Sequence, residues 1–152
     1  MERQAAVPST GLSSLSRWGI ALGLIGLSDS IYLVGIKIFP GALFCTNAGG
    51  CEKVNSSPYS EIHGIPIAVF GALAYAAILA LLIFEPRLAL LRERGPLFVF
   101  GLTFTGTLYS AYLTYIELEV LHSVCPYCAT SAIVMTALCL ISAVRLARHL
   151  NT

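Results

Sequence analysis

The stretch HSVCPYCATSA, residues 122–132, sets a dithiol, Cys125 and Cys128, against the start of an apolar run that continues to Val144. A C-x-x-C pair at a helix N-terminus differs chemically from a structural bridge, because the exposed N–H groups and the helix dipole stabilise a thiolate there. Cys125 is therefore a nucleophile candidate. Residues i and i+3 share a helix face, so Cys125 can sit at the aqueous boundary while Cys128 points a turn deeper, toward lipid-soluble molecules. At such an edge a water-side thiol can exchange electrons with a membrane-side oxidant. The pair is also compatible with plainer roles: a tetrahedral metal site shared with Cys45 and Cys51, or two disulfides that staple short connections.

Outward from this motif, the chain of 152 residues is 57% hydrophobic and only 11% charged, which puts it in the membrane class. Crossing about 30 Å of hydrocarbon takes roughly 20 residues. Four runs reach that length: Trp18 to Phe39, Ile65 to Phe84, Leu97 to Ile116 and Pro126 to Val144. The expectation is an all-α integral membrane protein, a four-transmembrane-helix bundle over residues 18–144. It would have tails at 1–17 and 145–152 and a Cys-containing outer loop at 40–64. The first run is longer than a signal-peptide core and lacks an A-x-A-like exit, so it reads as a retained helix.

Arg3, Arg17, Arg87, Arg92, Arg94, Arg145 and Arg148 lie at the two ends and in the middle connection, against Lys37 and Lys53 near or in the first connection. The positive-inside rule then puts both termini in the cytoplasm and the Cys-bearing segments outside, where thiols tend to oxidise. With a net charge of +1 and no basic stripe interleaved with aromatics, nucleic acid is set aside as a partner.

A comparison of the chain with itself at an offset of 80 residues aligns Leu22, Gly26, Ser30, Tyr32, Leu33, Ile36 and Cys45 with Leu102, Gly106, Ser110, Tyr112, Leu113, Ile116 and Cys125. This suggests two helix hairpins running in the same sense, each delivering a cysteine to one face. Cys139, well inside the fourth run, reads as a small apolar filler. Asp29, an acid near the middle of the first run, is expected to be protonated or hydrogen-bonded, and is a candidate proton donor to a bound redox partner. Tyr109, Tyr112 and Tyr115 form a row on the third run, with Tyr112 a candidate for the border of a binding pocket. His122, three residues before Cys125, could support a thiolate or simply be solvated, while Glu61 and His63 read as loop surface.

The ordered combination of three pieces resembles the bacterial members of the vitamin K epoxide reductase family. These are the C-x5-C of Cys45 and Cys51, VNSSPYSEIHGIPIAVFG from Val54 to Gly71, and GTLYSAYLTYIELEVLHSVCPYC from Gly106 to Cys128. Members of that family are four-helix membrane oxidoreductases that relay electrons from protein thiols to a quinone. The resemblance implies that Cys45 meets a partner thiol, Cys51 passes electrons to Cys125, and Cys128 reduces a quinone of the ubiquinone or menaquinone type. It also implies that Ser57 is the family's hydroxyl residue near the reaction centre, although a turn hydrogen bond would equally occupy it.

The implied partner is a thioredoxin-like protein outside the cytoplasm. Many bacterial relatives carry a fused thioredoxin-like domain after the fourth span, whereas this sequence runs only to Thr152, so a separate protein is expected. Ala132 stands where the animal enzymes have a tyrosine, which argues against vitamin K epoxide as substrate. The alternative from another class is a non-enzymatic thiol carrier of soft metal ions built on the same four cysteines.

Overall fold

The computed structural model describes residues 14–39, 53–54 and 56–152. It contains four helices long and apolar enough to cross a membrane: α1 (Ser14–Ile38), α2 (Ile67–Phe84), α3 (Ala89–Glu119) and α4 (Pro126–Leu150). The four-helix expectation holds, with shifted ends.

Helix α1 owes its packing to small residues. Its buried positions, Ser16, Gly19, Gly23, Gly26 and Ser30, recur every three or four residues along one face. In lipid, where tails are as apolar as leucine, helices associate by close van der Waals contact, and small residues allow it. Here a Cβ at Gly19 would meet Leu82, one at Gly23 would meet Leu79, and one at Gly26 would overlap the ring of Tyr75. Helix α2 thus lays large side chains into a glycine groove of α1. Helices α3 and α4 repeat the device with Gly106, where a Cβ would lie 2.9 Å from the Met135 sulfur. A buried hydroxyl pair, Thr103 with Ser142 at 2.8 Å, ties the same two helices farther along. The core between the hairpins is Tyr75, Ile78, Leu82, Val99, Val134, Met135 and Leu138.

Several helix boundaries differ from the sequence expectation. Ile65 and Pro66 do not open the second span; they pair with Glu61 and Ile62 as a two-stranded hairpin, β1 (Glu61–Ile62) and β2 (Ile65–Pro66). The turn residues His63 and Gly64 both have positive φ, 53° and 81°, as a tight two-residue hairpin connection requires. The middle connection is shorter than the charged segment 85–95 suggested, because α3 already begins at Ala89 and runs through Pro96. Pro96 costs one intrahelical hydrogen bond, at the carbonyl of Arg92, without stopping the helix. At its other end α3 extends past Ile116 to Glu119, which carries Glu117 toward the redox motif. Helix α4 likewise continues beyond Val144, to Leu150.

The hairpin is fastened to α1 by Lys37, whose ammonium lies 2.9 Å from Glu61 and donates to the Ser60 hydroxyl at 3.0 Å. Glu61 and His63 are exposed.

Candidate active site

Helix α4 starts where the sequence places its dithiol. Cys125 is the N-cap, in extended conformation, followed by Pro126 in the first turn, where a missing N–H costs nothing. Cys125 is only 1% exposed. The Cys128 S–H donates toward the Cys125 sulfur, and with the N–H groups of Cys128 and Tyr127 draws that thiol down from 9.0 to about 7. Burial and the nearby Glu117 carboxylate push the other way. The dithiol is asymmetric: Cys125 is the sulfur that ionises first.

Cys125 and Cys128 both line a partly open cavity of about 320 Å³ bordered by α1, α2, α3, α4 and the segment before β1. Its walls are largely apolar, with Leu33, Phe70, Leu102 and Leu113 among them. Its polar lining includes Ser57, Ser110, Ser131 and Glu117. Tyr75 stands fully buried at the base, its hydroxyl 3.0 Å from both the carbonyl and the hydroxyl of Ser131. Residues paired by the 80-residue offset face this one space from opposite sides: Ser30 and Leu33 from α1, Ser110 and Leu113 from α3.

Ser57 makes the turn hydrogen bond, its hydroxyl donating to the Val54 carbonyl at 2.7 Å, and also stands on the cavity wall. Cys45 and Cys51 lie outside the described residues. Cys139 is on α4, away from the cavity lining.

Three candidates fall elsewhere. Tyr112 is 54% exposed and does not line the cavity; Tyr109, one turn earlier and 6.2 Å away between ring centroids, does. A three-residue step rotates a side chain by about 60° around the helix, enough to turn Tyr112 out of the wall. Asp29 is also absent from the lining, although its neighbour Ser30 is present. Its Oδ2 is buried with no hydrogen-bond partner among the described residues, and Ser28 bonds back to the Leu24 carbonyl instead. Of the two expectations for Asp29, protonation or hydrogen-bonding, the second is not met at Oδ2 among the described residues. His122 is exposed, with φ of 48°, and its place is in the turn that reverses the chain.

The residue that sequence reasoning missed is Glu117. It is 4% exposed, accepts the Cys125 N–H at 3.2 Å through Oε2, and lies within hydrogen-bonding reach of the Cys128 thiol. Its backbone carbonyl accepts the Ser123 N–H at 3.0 Å, so the same residue also closes the connection between α3 and α4. The available signal was an acid at the end of an apolar run, eight positions before Cys125. Tyr127, between the two cysteines, packs on Tyr32 with ring centroids 4.9 Å apart and holds the motif against α1.

Among the described residues no three His, Cys, Asp or Glu side chains gather where they could hold a metal ion. The four-cysteine metal site considered above draws on Cys45 and Cys51, beyond those residues.

Comparison with known proteins agrees with this arrangement. A thiol-disulfide oxidoreductase of Arabidopsis thaliana, LTO1, is 33% identical over 120 residues, which cover 75% of this chain and 32% of that protein. The chain thus spans about a third of the length of that relative. The sequence model of the vitamin K epoxide reductase family matches residues 17–143, all four helices and the segment between the first two. With four helices long and apolar enough to cross a membrane, a C-x-x-C pair at the head of the last one and a cavity against it, this chain belongs to the vitamin K epoxide reductase family.

Proposed function

We propose that the protein generates disulfides outside the cytoplasm and passes the electrons to a quinone in the membrane. The observation that carries this reading is the cavity, which sets both cysteines of the C-x-x-C motif against a largely apolar chamber between the helices. A planar, lipid-soluble ring suits walls of that kind, with a few polar groups beside the thiols to orient it. When bound, the quinone supplies a two-electron acceptor.

In this scheme Cys45 exchanges with the thiol of a thioredoxin-like partner, and Cys51 attacks the Cys125–Cys128 disulfide at Cys125. Cys128 is then released as the sulfur that faces the cavity. Cys45 then attacks Cys51, closing the Cys45–Cys51 disulfide and freeing Cys125, and once Cys128 has taken up a proton its S–H holds the Cys125 sulfur ready to close their own disulfide again. Ser57 and Ser131 offer hydroxyls at the wall. The arginines that cluster at the chain ends and in the middle connection support an orientation with cytoplasmic termini, so that disulfides flow outward as electrons flow inward.

Anaerobic quinone reduction by purified protein, driven by a reduced thioredoxin-like protein, tests the scheme. Turnover is expected in the wild type and absent in Cys128→Ser. Cys45→Ser should lose activity with the protein partner but keep it with a small membrane-permeant dithiol. Failure with every common quinone, together with stoichiometric metal binding, would replace this reading by metal carriage.

A further inference from the structure

Glu117 is the one charged side chain in the buried class among the described residues, and no cation neutralises it. The ion pairs among those residues are Lys37 with Glu61 and Arg145 with Glu85. A carboxylate buried without a counter-charge is costly, and protonation is the cheapest way to remove that cost. An ionised carboxylate is purely an acceptor, and its neighbours here are donors: the Cys125 N–H at 3.2 Å and the Cys128 thiol. If Glu117 served only to cap the motif, a neutral amide would do so with less desolvation. What the acid adds is the ability to change its protonation state.

The other titratable groups facing the cavity from the surrounding elements are Tyr59, Tyr75, Tyr109, Cys125 and Cys128. Tyr75 is engaged with Ser131, while Tyr59 and Tyr109 are 42% and 38% exposed. Glu117 is the carboxylate of the cavity wall.

We infer that Glu117 is the proton acceptor of the redox dithiol, taking the Cys128 proton as that sulfur is oxidised while its second contact keeps the Cys125 backbone in place. This rests on the quinone-reducing reading above. Oxidation of the dithiol breaks two S–H bonds and forms one S–S bond. Two electrons and two protons pass to the quinone, whose carbonyl oxygens gain two O–H bonds. Glu117 becomes a carboxylic acid as Cys128 ionises, then returns to carboxylate by giving that proton up on the cavity side.

The test uses protein carrying Cys45→Ser, Cys51→Ser and Cys139→Ser, reduced, with either Glu117 or Glu117→Gln. Glutamine keeps an oxygen for the Cys125 N–H but cannot take the proton. Two readouts are needed: the pH profile of iodoacetamide alkylation at Cys125, resolved by mass spectrometry, and quinone reduction driven by a permeant dithiol. Glu117→Gln should melt at the parent's temperature, move the alkylation midpoint to lower pH because a negative neighbour is gone, and slow quinone reduction roughly 100-fold. Glu117→Asp, which keeps an acid, should recover part of the rate and serves if the glutamine variant misfolds. An unchanged midpoint and an unchanged rate in Glu117→Gln would overturn the inference. If the parent reduces no quinone, the underlying reading fails, and an unchanged midpoint alone would still refute a charged Glu117 at the dithiol.

Discussion

The two ends of helix α4 each meet an acid from outside the helix, one half-buried and one buried, and the acids are treated in opposite ways. At the C-terminal end Glu85, which caps α2, takes the guanidinium of Arg145 at 2.6 Å, with side-chain exposures of 15% and 10%. At the dithiol end Glu117, 4% exposed, meets an N–H and a thiol. A paired charge in a low-dielectric setting is locked, because losing either partner strands the other. An acid facing neutral donors keeps its proton equilibrium open. The contrast separates a position that holds the bundle together from one that is free to react.

That division can be broken experimentally. The largest effect is expected at the dithiol: Cys128→Ser should leave no measurable quinol formation in a stopped assay, while Cys139→Ser, off the cavity, should match the wild type. A smaller but sharper effect concerns pH. The Cys125 thiol is lowered to about 7, so its alkylation rate should rise with a midpoint near pH 7 rather than near 9.0. The sign follows from the thiolate being the reactive form: below the midpoint the rate falls. In Cys128→Ser the stabilising S–H donor is replaced, and the midpoint should change.

At the C-terminal end, Glu85→Ala should cost about 3 kcal/mol of stability, read as a lower melting temperature in detergent, because it leaves the Arg145 guanidinium largely buried and unpaired. Activity per folded molecule should survive. If Glu85→Ala slowed turnover as severely as the dithiol-end change, the proposed separation of roles would be wrong. Gly26→Ala would push a methyl into the Tyr75 ring and should cost about 1–3 kcal/mol. Gly35→Ala, with nothing within 4 Å, is the matched control. The smallest effect belongs to Glu61→Gln, where the half-exposed pair with Lys37 should contribute under about 1 kcal/mol.

Much of this architecture is legible in the residues themselves. Four apolar runs of bilayer length require four helices, since a chain in lipid must satisfy its backbone internally. The C-x-x-C at the start of the last run, preceded by a short connection, also locates one end of the cavity. The 80-residue echo marks Ser30, Leu33, Ser110 and Leu113, which the fold brings to one cavity. Boundaries were less readable, because Ile65 and Pro66 look like a helix start until a partner strand claims them.

What the sequence alone determined is the class of the molecule: its helices, its dithiol and its membership of a redox family, all properties of local composition and spacing. Which acid stands against the dithiol was decided only by the tertiary structure. Asp29 drew attention as the acid in mid-span, yet it falls outside the cavity lining. Glu117 looked like the end of a helix, yet the turn at His122 folds it back onto Cys125 and Cys128. Helical rotation sets the face a side chain occupies, but only the packing of a second helix determines what stands opposite, and that pairing is where reactivity arises.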